Sequence, residues 1–455
     1  MDLKKLEQIT KYVVDLAKKK GADEADSIIR ESKEFNVIVR LGKIESLKEA
    51  VSKSLGLRVI KDKRTAIVYT SDLEEKSLKK LVSDGIELVK YSDRDEFSTL
   101  PDKSELGIAK GDLKNFDSNV EKISSEKKIS MAKEAEEASF AFDKRITNSG
   151  GSSFSTAISG MALSNSQGFS GSFSSTGSSL SVSMIADDLE SEVKGKKQRG
   201  WWYTSNPFFD KLEKPQDVGK KAAKRTIMFL GARKVKTRQA PVLFDQFIAS
   251  NLLSFLSSLV SGESIYRKMS IFVDKLGKKV GSEFLNVVDD GLMSRGFNSR
   301  PFDGEGVVSR KNVIFENGVL KTYLLNTYSA KKLGLKTTGN ASRSIAGRPG
   351  VGISNFYLIN GNISEKDLIG EVKDGLYLME TMGAGVNPVT GDFSVGALGM
   401  WIENGKILYP VSEITIASNI NGMLNNILGL GDNLEFRGAY ASPSLLIDKI
   451  TVSGK

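Results

Sequence analysis

The first hundred residues change hydrophobic period twice. Apolar residues recur at helical spacing over residues 3–17 and stop at Gly21, which predicts an amphipathic helix. Over residues 27–70, apolar and polar positions alternate in short segments, as they do in half-buried antiparallel strands. A second helical stripe covers residues 73–89. Residues 1–100 are therefore predicted to form an N-terminal α/β domain whose mostly antiparallel sheet is flanked by two helices.

Residues 101–239 have a looser pattern and are predicted to form a middle domain of helix and strands. A charged segment over residues 113–138 has its apolar residues on one side, which is typical of a long exposed helix. Residues 148–183 are rich in Ser and Gly, but apolar residues interrupt them at strand-like intervals and a turn signal lies at residues 165–168. This pattern favours small-residue β-strands over a flexible linker.

Residues 240–455 are predicted to form a β-rich C-terminal domain with one buried helix. The helix begins after Asp245, a residue type that favours the N-cap, and it is apolar on more than one face as far as Gly262. Segments of strand character follow, and Asn404-Gly405 between two of them predicts a two-residue hairpin turn. The three regions together predict an α+β protein.

The composition restricts the possible chemistry, because the 455 residues include 0 His and 0 Cys. Imidazole bases, thiol nucleophiles, disulfides and metal sites built on His or Cys are excluded. No catalytic residue, metal or cofactor is therefore predicted, although carboxylate coordination of Mg²⁺ or Ca²⁺ and Ser/Lys chemistry stay open. The pairs that could support such chemistry are explained more simply by surface, turn and capping roles. These pairs are Ser77 with Lys80, Ser329 with Lys332, Asp289 with Asp290, and Asp303 with Glu305.

The charge of the chain permits contact with anionic partners but does not require it. The net charge is +9, and residues 214–238 are conspicuously basic. Because acidic residues are interspersed elsewhere, a solvated helix face is favoured over a nucleic-acid site. No run of about 18 apolar residues marks a membrane span, and the first twenty residues do not resemble a secretory signal. The protein is expected to be cytoplasmic, without membrane or nucleic-acid partners.

Several long sequence blocks occur in an order that resembles a known family. The blocks are KKGADEA at 19–25, YRK at 266–268, PFDGEG at 301–306, YSAKKLG at 328–334, GAGVNPVTGDFS at 383–394 and YPVSEITIA at 409–417. They resemble the TldD/PmbA family of predicted modulators of DNA gyrase and metallopeptidases, and in particular its PmbA/TldE branch. The resemblance spans nearly the whole chain.

The resemblance implies that this chain is the non-catalytic type of subunit. In the family, the TldD branch carries a His-Glu-x-x-x-His zinc motif on a helix and a cysteine ligand late in the chain, and it cleaves peptides in a cavity formed with its TldE partner. Aligned back from the YRK block, the motif positions fall on Ser254, Phe255 and Leu259. None of these side chains can replace the residue that the motif requires.

The resemblance also implies a partner and a substrate. The expected partner is a TldD-like zinc peptidase subunit or a second copy of this chain, and the expected substrate is an unfolded peptide. Asn387, Thr390, Gly391 and Asp392 would lie on the cavity wall, where a peptide could pair with exposed strand edges. A plain tight turn explains these residues equally well. An independent homodimeric peptidase or hydrolase without histidine chemistry, and a modulator that binds DNA gyrase directly, stay open as alternatives.

Overall fold

A six-stranded antiparallel sheet organises the N-terminal half of the protein, whose computed structural model describes residues 1–190, 194–383 and 385–454. The spatial order of its strands is β3-β2-β1-β4-β5-β6. The strands are β1 (Glu24–Arg40), β2 (Lys43–Lys61), β3 (Arg64–Thr70), β4 (Ile146–Asn165), β5 (Ser170–Asp187) and β6 (Lys197–Asn206). The Ser/Gly-rich residues thus form β4 and β5. The division into three domains remains a proposal, and its first two parts would share this sheet.

Four helices cover one face of this sheet. The helices of this half are α1 (Leu3–Lys19), α2 (Glu75–Leu88), the short α3 (Asn119–Lys122), α4 (Ser125–Phe142) and α5 (Pro215–Ile227). Helices α1 and α2 pack against one end of the sheet, and α4 and α5 pack against the other. In β1, Ala25, Ile29, Phe35 and Val37 face these helices. Their even-numbered neighbours therefore face the other way, because strand side chains alternate.

The charged helix predicted over residues 113–138 begins later than expected. The helix is α4, and the Ser124 side chain caps it by accepting a hydrogen bond of 3.2 Å from the Lys127 N–H. Residues 113–118 lie outside any helix. The helix is also partly buried, since Met131, Ala132 and Ala135 pack against the sheet and against α5, which lies on the same face. The polar composition of α4 concealed this buried stripe.

The C-terminal half contains a closed five-stranded barrel. Its strands follow the order β16-β15-β14-β7-β19, and β19 pairs back onto β16. The strands are β7 (Arg238–Phe244), β14 (Asp374–Met382), β15 (Asp392–Glu403), β16 (Lys406–Asn419) and β19 (Leu445–Ser453), and β17 (Ile427–Leu430) extends the sheet beside β19.

A second sheet and the remaining helices complete this half. The sheet has the order β10-β9-β8-β13-β18, and β11 and β12 form a separate ribbon. These strands are β8 (Val287–Asp290), β9 (Lys311–Glu316), β10 (Val319–Leu320), β11 (Ala341–Ser342), β12 (Gly350–Val351), β13 (Phe356–Leu358) and β18 (Tyr440–Ala441). The helices are α6 (Gln246–Leu259), α7 (Gly262–Tyr266), α8 (Thr327–Leu333), α9 (Glu365–Glu371) and α10 (Ile420–Asn425). Helix α6 packs between barrel strand β14 and the second sheet. The helices and strands of the two halves together confirm the predicted α+β class.

The predicted hairpin at Asn404-Gly405 joins β15 to β16. Glu403 pairs with Lys406 across a two-residue turn. Asn404 and Gly405 both have positive φ, at 50° and 72°, which is the conformation of a type I′ turn. The turn residues alone therefore predicted this connection correctly.

The two halves meet at the sheet face opposite the helices. At Gly56 in β2, an added Cβ would lie 2.1 Å from the Ile345 carbonyl oxygen. Only a residue without a side chain allows this approach. The loop after β11 thus rests directly on the N-terminal sheet. Within the described residues, no helix is long and apolar enough to cross a membrane.

Candidate functional site

Helix α6 has one buried side and one open side. The Asp245 carboxylate caps its first turn and accepts a 2.9 Å hydrogen bond from the Phe247 N–H. Six of its residues are buried in the C-terminal core: Ile248, Ala249, Leu252, Leu253, Leu256 and Leu259. On the other side Asn251, Ser254 and Ser258 are exposed. The helix is therefore buried, as predicted, but small polar residues follow one edge of it and leave that edge exposed.

The open side of α6 borders a cavity of about 280 Å³. Helix α6 supplies Asn251, Ser254 and Phe255 to the wall, and the end of β14 with the residue that follows it supplies Thr381 and Gly383. The other lining residues are the apolar Phe244, Ile248, Leu252, Phe393 and Val395. This lining offers aromatic and aliphatic surface with a few hydroxyl and amide groups. It contains no ionisable side chain, so its chemistry suits binding rather than proton transfer.

The positions that match the zinc motif do not fit a metal ion. Ser254 is exposed beside the cavity and Phe255 is half-buried there, whereas Leu259 is fully buried in the core. Of the three, only the Ser254 hydroxyl has an atom that could approach a cation, and zinc sites use His, Cys or carboxylate groups. In the three described stretches of the chain, no group of three or more acidic residues could substitute for them.

The turn between β14 and β15 holds the four residues expected on the cavity wall. The Asn387 side chain accepts hydrogen bonds from the N–H groups of Val389 (3.0 Å) and Thr390 (3.3 Å). The Asp392 carboxylate accepts from the Thr390 hydroxyl at 2.6 Å and from the Asn419 amide at 3.2 Å. These two hydrogen bonds lower the pKa of the Asp392 carboxyl.

This turn is anchored next to the cavity beside α6, but the four residues named above do not line that cavity. The Ile271 N–H donates a 3.0 Å hydrogen bond to the Pro388 carbonyl, and Ile420 donates one of 2.7 Å to the Gly391 carbonyl. Phe393, which follows Asp392, does line the cavity. The polar atoms of Asn387, Thr390 and Asp392 largely bind one another. Their contact with a peptide stays a prediction.

The other residue pairs considered from the sequence have structural partners. Ser329 forms a capping box with Asn326 at the start of α8. The Asp289 side chain accepts from the Asn340 amide at 2.7 Å and from the Ser354 N–H at 2.6 Å. Ser77 donates a 2.5 Å hydrogen bond to Asp72 on the surface. Ser329 thus has a capping role and Ser77 a surface role, whereas Asp289 is a buried strand residue that binds distant parts of the chain, so the expected turn or capping role does not hold for it.

Sequence reasoning missed a buried charge cluster where the two halves meet. Asp26 in β1 binds Arg58 at 2.5 Å and also pairs with Arg343 from the C-terminal half. Arg58 lies 3.4 Å from Glu305. All four side chains are at most 8 % exposed. Burial alone would raise the pKa of the Asp26 carboxyl, but Arg343 and Arg58 outweigh it and hold the pKa below its usual value.

One part of this cluster had a signal in the sequence. Asp26 and Arg58 are directly opposite in the pairing of β1 with β2, and opposite charges at such positions attract across strands. A correct strand register would have placed them together. Arg343 comes from a distant part of the chain, so no local spacing could have linked it to Asp26.

Comparisons with known proteins cover nearly the whole chain. Three family models match in order: the PmbA/TldA metallopeptidase domain 1 at residues 25–89, the central domain at 118–230 and the C-terminal domain at 237–454. The chain is 36% identical over 451 residues to a metalloprotease PmbA homolog of Haemophilus influenzae, covering 99% of this chain and 96% of the relative.

Solved structures agree with the sequence comparison. A Bacteroides thetaiotaomicron protein named as a candidate modulator of DNA gyrase matches with a TM-score of 0.91 and 29% identity, over 99% of both chains. TldE from Thermococcus kodakarensis matches with a TM-score of 0.88 and 21% identity, over 98% of this chain and 100% of that one. At that identity the second likeness concerns the fold alone.

Proposed function

This chain belongs to the TldD/PmbA metallopeptidase family, and on that premise we propose that it is a non-catalytic, PmbA/TldE-like partner subunit. In this proposal it assembles in the cytoplasm with a TldD-type zinc subunit and helps to enclose an unfolded peptide. The partner performs the hydrolysis. This chain contributes a binding wall.

The observation that carries the proposal is the chemistry of the open side of α6. At the positions of the family's zinc motif, Ser254 and Phe255 face a small, largely apolar cavity, and Leu259 belongs to the core. Exposed Ser and Asn groups beside aromatic surface can contact a peptide backbone and its apolar side chains. They cannot hold zinc or activate a water molecule. The site therefore supports binding without catalysis.

The basic stretch at residues 214–238 gives little support to nucleic-acid binding. Within it, Lys221 pairs with Glu213 at 2.6 Å, Lys234 with Glu413 at 3.4 Å and Arg238 with Asp374 at 2.8 Å. These cations are already matched by carboxylates of the same chain. A site that binds phosphate backbones needs uncompensated basic groups. Arg225 also lies 3.6 Å from Asp245, so four of the nine basic residues of this stretch are compensated within the chain, and direct action on DNA is the less favoured alternative.

The proposal is tested by filling the cavity with a large side chain. Ser254→Trp introduces an indole at the cavity wall, whereas Ser258→Trp introduces the same group at an exposed position of α6 that does not line the cavity. With a TldD-type subunit present, we expect Ser254→Trp to lower kcat/KM for a labelled disordered peptide by about tenfold, which corresponds to about 1.4 kcal/mol. Ser258→Trp should leave it near the wild-type value.

Size-exclusion chromatography of each variant with the TldD-type subunit separates binding from assembly. Both variants should form the complex as the wild type does. Equal kcat/KM for the two variants in intact complexes would contradict a role for the α6 cavity in peptide binding. Peptide cleavage by this chain alone would favour the alternative of an independent hydrolase.

A further inference from the structure

A second cavity, of about 490 Å³, lies where the N-terminal sheet meets the C-terminal half. The sheet contributes Arg30 and several serines to its wall, and two loops of the C-terminal half contribute Arg300 and Arg343. Met161 and Phe173 add apolar surface. None of its lining residues belongs to the α6 cavity. Its volume is in the range of small-molecule sites, which run from about 300 to 1,000 Å³.

Two of the arginines in this cavity have unused hydrogen-bond donors. Arg343 is only 2 % exposed, and its Nε and Nη2 atoms have no partner among the described residues. The Nε and Nη2 atoms of Arg300 are likewise buried and without a partner in the described part of the chain. A buried donor without a partner is costly, and more so when it carries charge. The side chains are therefore arranged as if a ligand completes their hydrogen bonds.

Two of the three arginines that line the cavity form no ion pair within the described chain. Asp26 and Glu305 neutralise Arg58 and Arg343. Arg30 and Arg300 form no ion pair with a carboxylate of the described residues. Burial and the nearby charge of Arg300 both lower the pKa of the Arg30 guanidinium. Arg30 and Arg300 thus face one cavity without a direct ion pair in the described part of the chain, and Asp303 acts on Arg300 only through the longer-range attraction of their charges.

The three acidic residues in the wall, Glu31, Glu34 and Asp303, form no ion pair with these arginines. Glu31 pairs with Lys53 at 3.1 Å, and Glu34 accepts a hydrogen bond from the Ser32 hydroxyl at 3.4 Å. Asp303 uses one carboxylate oxygen for the N–H groups of Glu305 and Val307, and the other for that of Ala341. None of these three carboxylates accepts a hydrogen bond from the free donors of Arg300 or Arg343.

We propose that this cavity binds a small organic molecule through a carboxylate or phosphate group, with Arg300 and Arg343 as its principal ligands. Guanidinium groups match the geometry of both oxyanions, because two parallel N–H donors can meet two oxygen atoms. Arg30 adds a guanidinium without an ion pair among the described residues. Ser54 and Ser159 line the same cavity, and in this proposal they contact the remainder of the molecule. The inference does not depend on the proposed function.

Thermal unfolding of the full chain in phosphate, succinate and chloride at equal ionic strength tests the proposal. Anion binding to the folded state raises Tm by mass action. We expect phosphate, succinate or both to raise the wild-type Tm in a saturable manner, with half-saturation below about 1 mM. Stabilisation by phosphate alone assigns a phosphate ester as the ligand class, and stabilisation by succinate alone assigns a carboxylic acid.

Two variants separate this site from general salt effects. Arg300→Gln should abolish the anion-dependent shift without lowering Tm in chloride, because it removes a buried donor group that lacks a partner. The control Arg94→Gln changes a surface arginine that pairs with Glu96 at 2.9 Å, and it should keep the full shift. The proposal is overturned if neither anion raises Tm, or if Arg300→Gln keeps the same shift as the wild type.

Discussion

Buried charged residues form ion pairs that connect the two halves of this protein. Asp26 lies on β1, and it holds one arginine from the neighbouring strand and one from the C-terminal half. The sequence does not single out Asp26, because β1 carries several other charged residues. It does not show the partners, because strand register and tertiary contact decide them. The same limit explains why the arginines of the second cavity were not foreseen.

Asp26→Asn is expected to destabilise the protein strongly. It removes the charge that Arg58 and Arg343 share and leaves both guanidinium groups buried against a neutral amide. Breaking a buried ion pair in this way costs about 3–5 kcal/mol. Urea unfolding should show a lower midpoint for this variant. The exposed pair of Asp84 with Lys80, at 2.7 Å, provides the control, since Asp84→Asn should leave the midpoint almost unchanged. Similar midpoints for both variants would contradict this view of the cluster.

Asp303 should make stability depend on pH in a range where this chain has no imidazole to titrate. Burial and the neighbouring Glu305 raise the pKa of the Asp303 carboxyl to about 7, whereas an unfolded chain gives about 3.9. Between these values the folded state binds more protons, so the free energy of unfolding falls as pH rises. The stabilisation that Asp303 provides is fully present below its pKa in the unfolded chain. It is lost as the pH rises to its pKa in the folded protein.

The wild type should therefore lose stability relative to Asp303→Asn between about pH 5 and pH 7, by as much as about 1.4 kcal/mol per pH unit. Urea unfolding of both proteins across this range measures the difference. Asp303→Asn also loses an acceptor for the Ala341 N–H, but that loss is the same at every pH. Parallel curves for the two proteins would show that Asp303 ionises at its ordinary pKa.

At the scale of elements, local sequence signals predicted the turns between strands better than they predicted the lengths of the strands and helices. The Asn404-Gly405 turn was predicted because its backbone conformation depends on those two residues. By contrast, the short segments expected over residues 27–60 merge into β1 and β2, which continue through exposed and half-buried positions. The first half of β2 is almost entirely exposed, and its continuous pairing with β1 joins the short predicted segments into one strand. Helix α4 begins later than predicted because the Ser124 side chain caps its first turn.

Gly56→Ala should loosen the contact between β2 and the loop after β11. The new Cβ would lie 2.1 Å from the Ile345 carbonyl oxygen, so the backbone must move. Overpacking of this kind costs about 1–3 kcal/mol. We expect a lower urea midpoint and faster hydrogen exchange at Ile345. Gly177→Ala in β5, where nothing lies within 4 Å of the new atom, should show neither change. Unaltered exchange at Ile345 in Gly56→Ala would contradict the close approach.

At the scale of the whole molecule, the sheet face that the helices cover is distinct from the regions that contain the two cavities. Four helices cover one face of the N-terminal sheet, and the opposite face meets the C-terminal half around the arginine-lined cavity. The α6 cavity lies apart from it, at the ends of barrel strands β14 and β15. The composition, with 0 His and 0 Cys, was enough to predict a chain without the usual zinc ligands. The exposed side of α6 was not predicted, because the apolar residues of that helix dominate its pattern.

The most direct measurement of the central claim is peptide cleavage by the purified chain with and without a TldD-type subunit. The substrate is a labelled disordered peptide, and each reaction is repeated with a metal chelator. We predict no cleavage by this chain alone, cleavage by the mixture, and loss of that cleavage on addition of the chelator. Cleavage by this chain alone that persists in chelator would contradict the account.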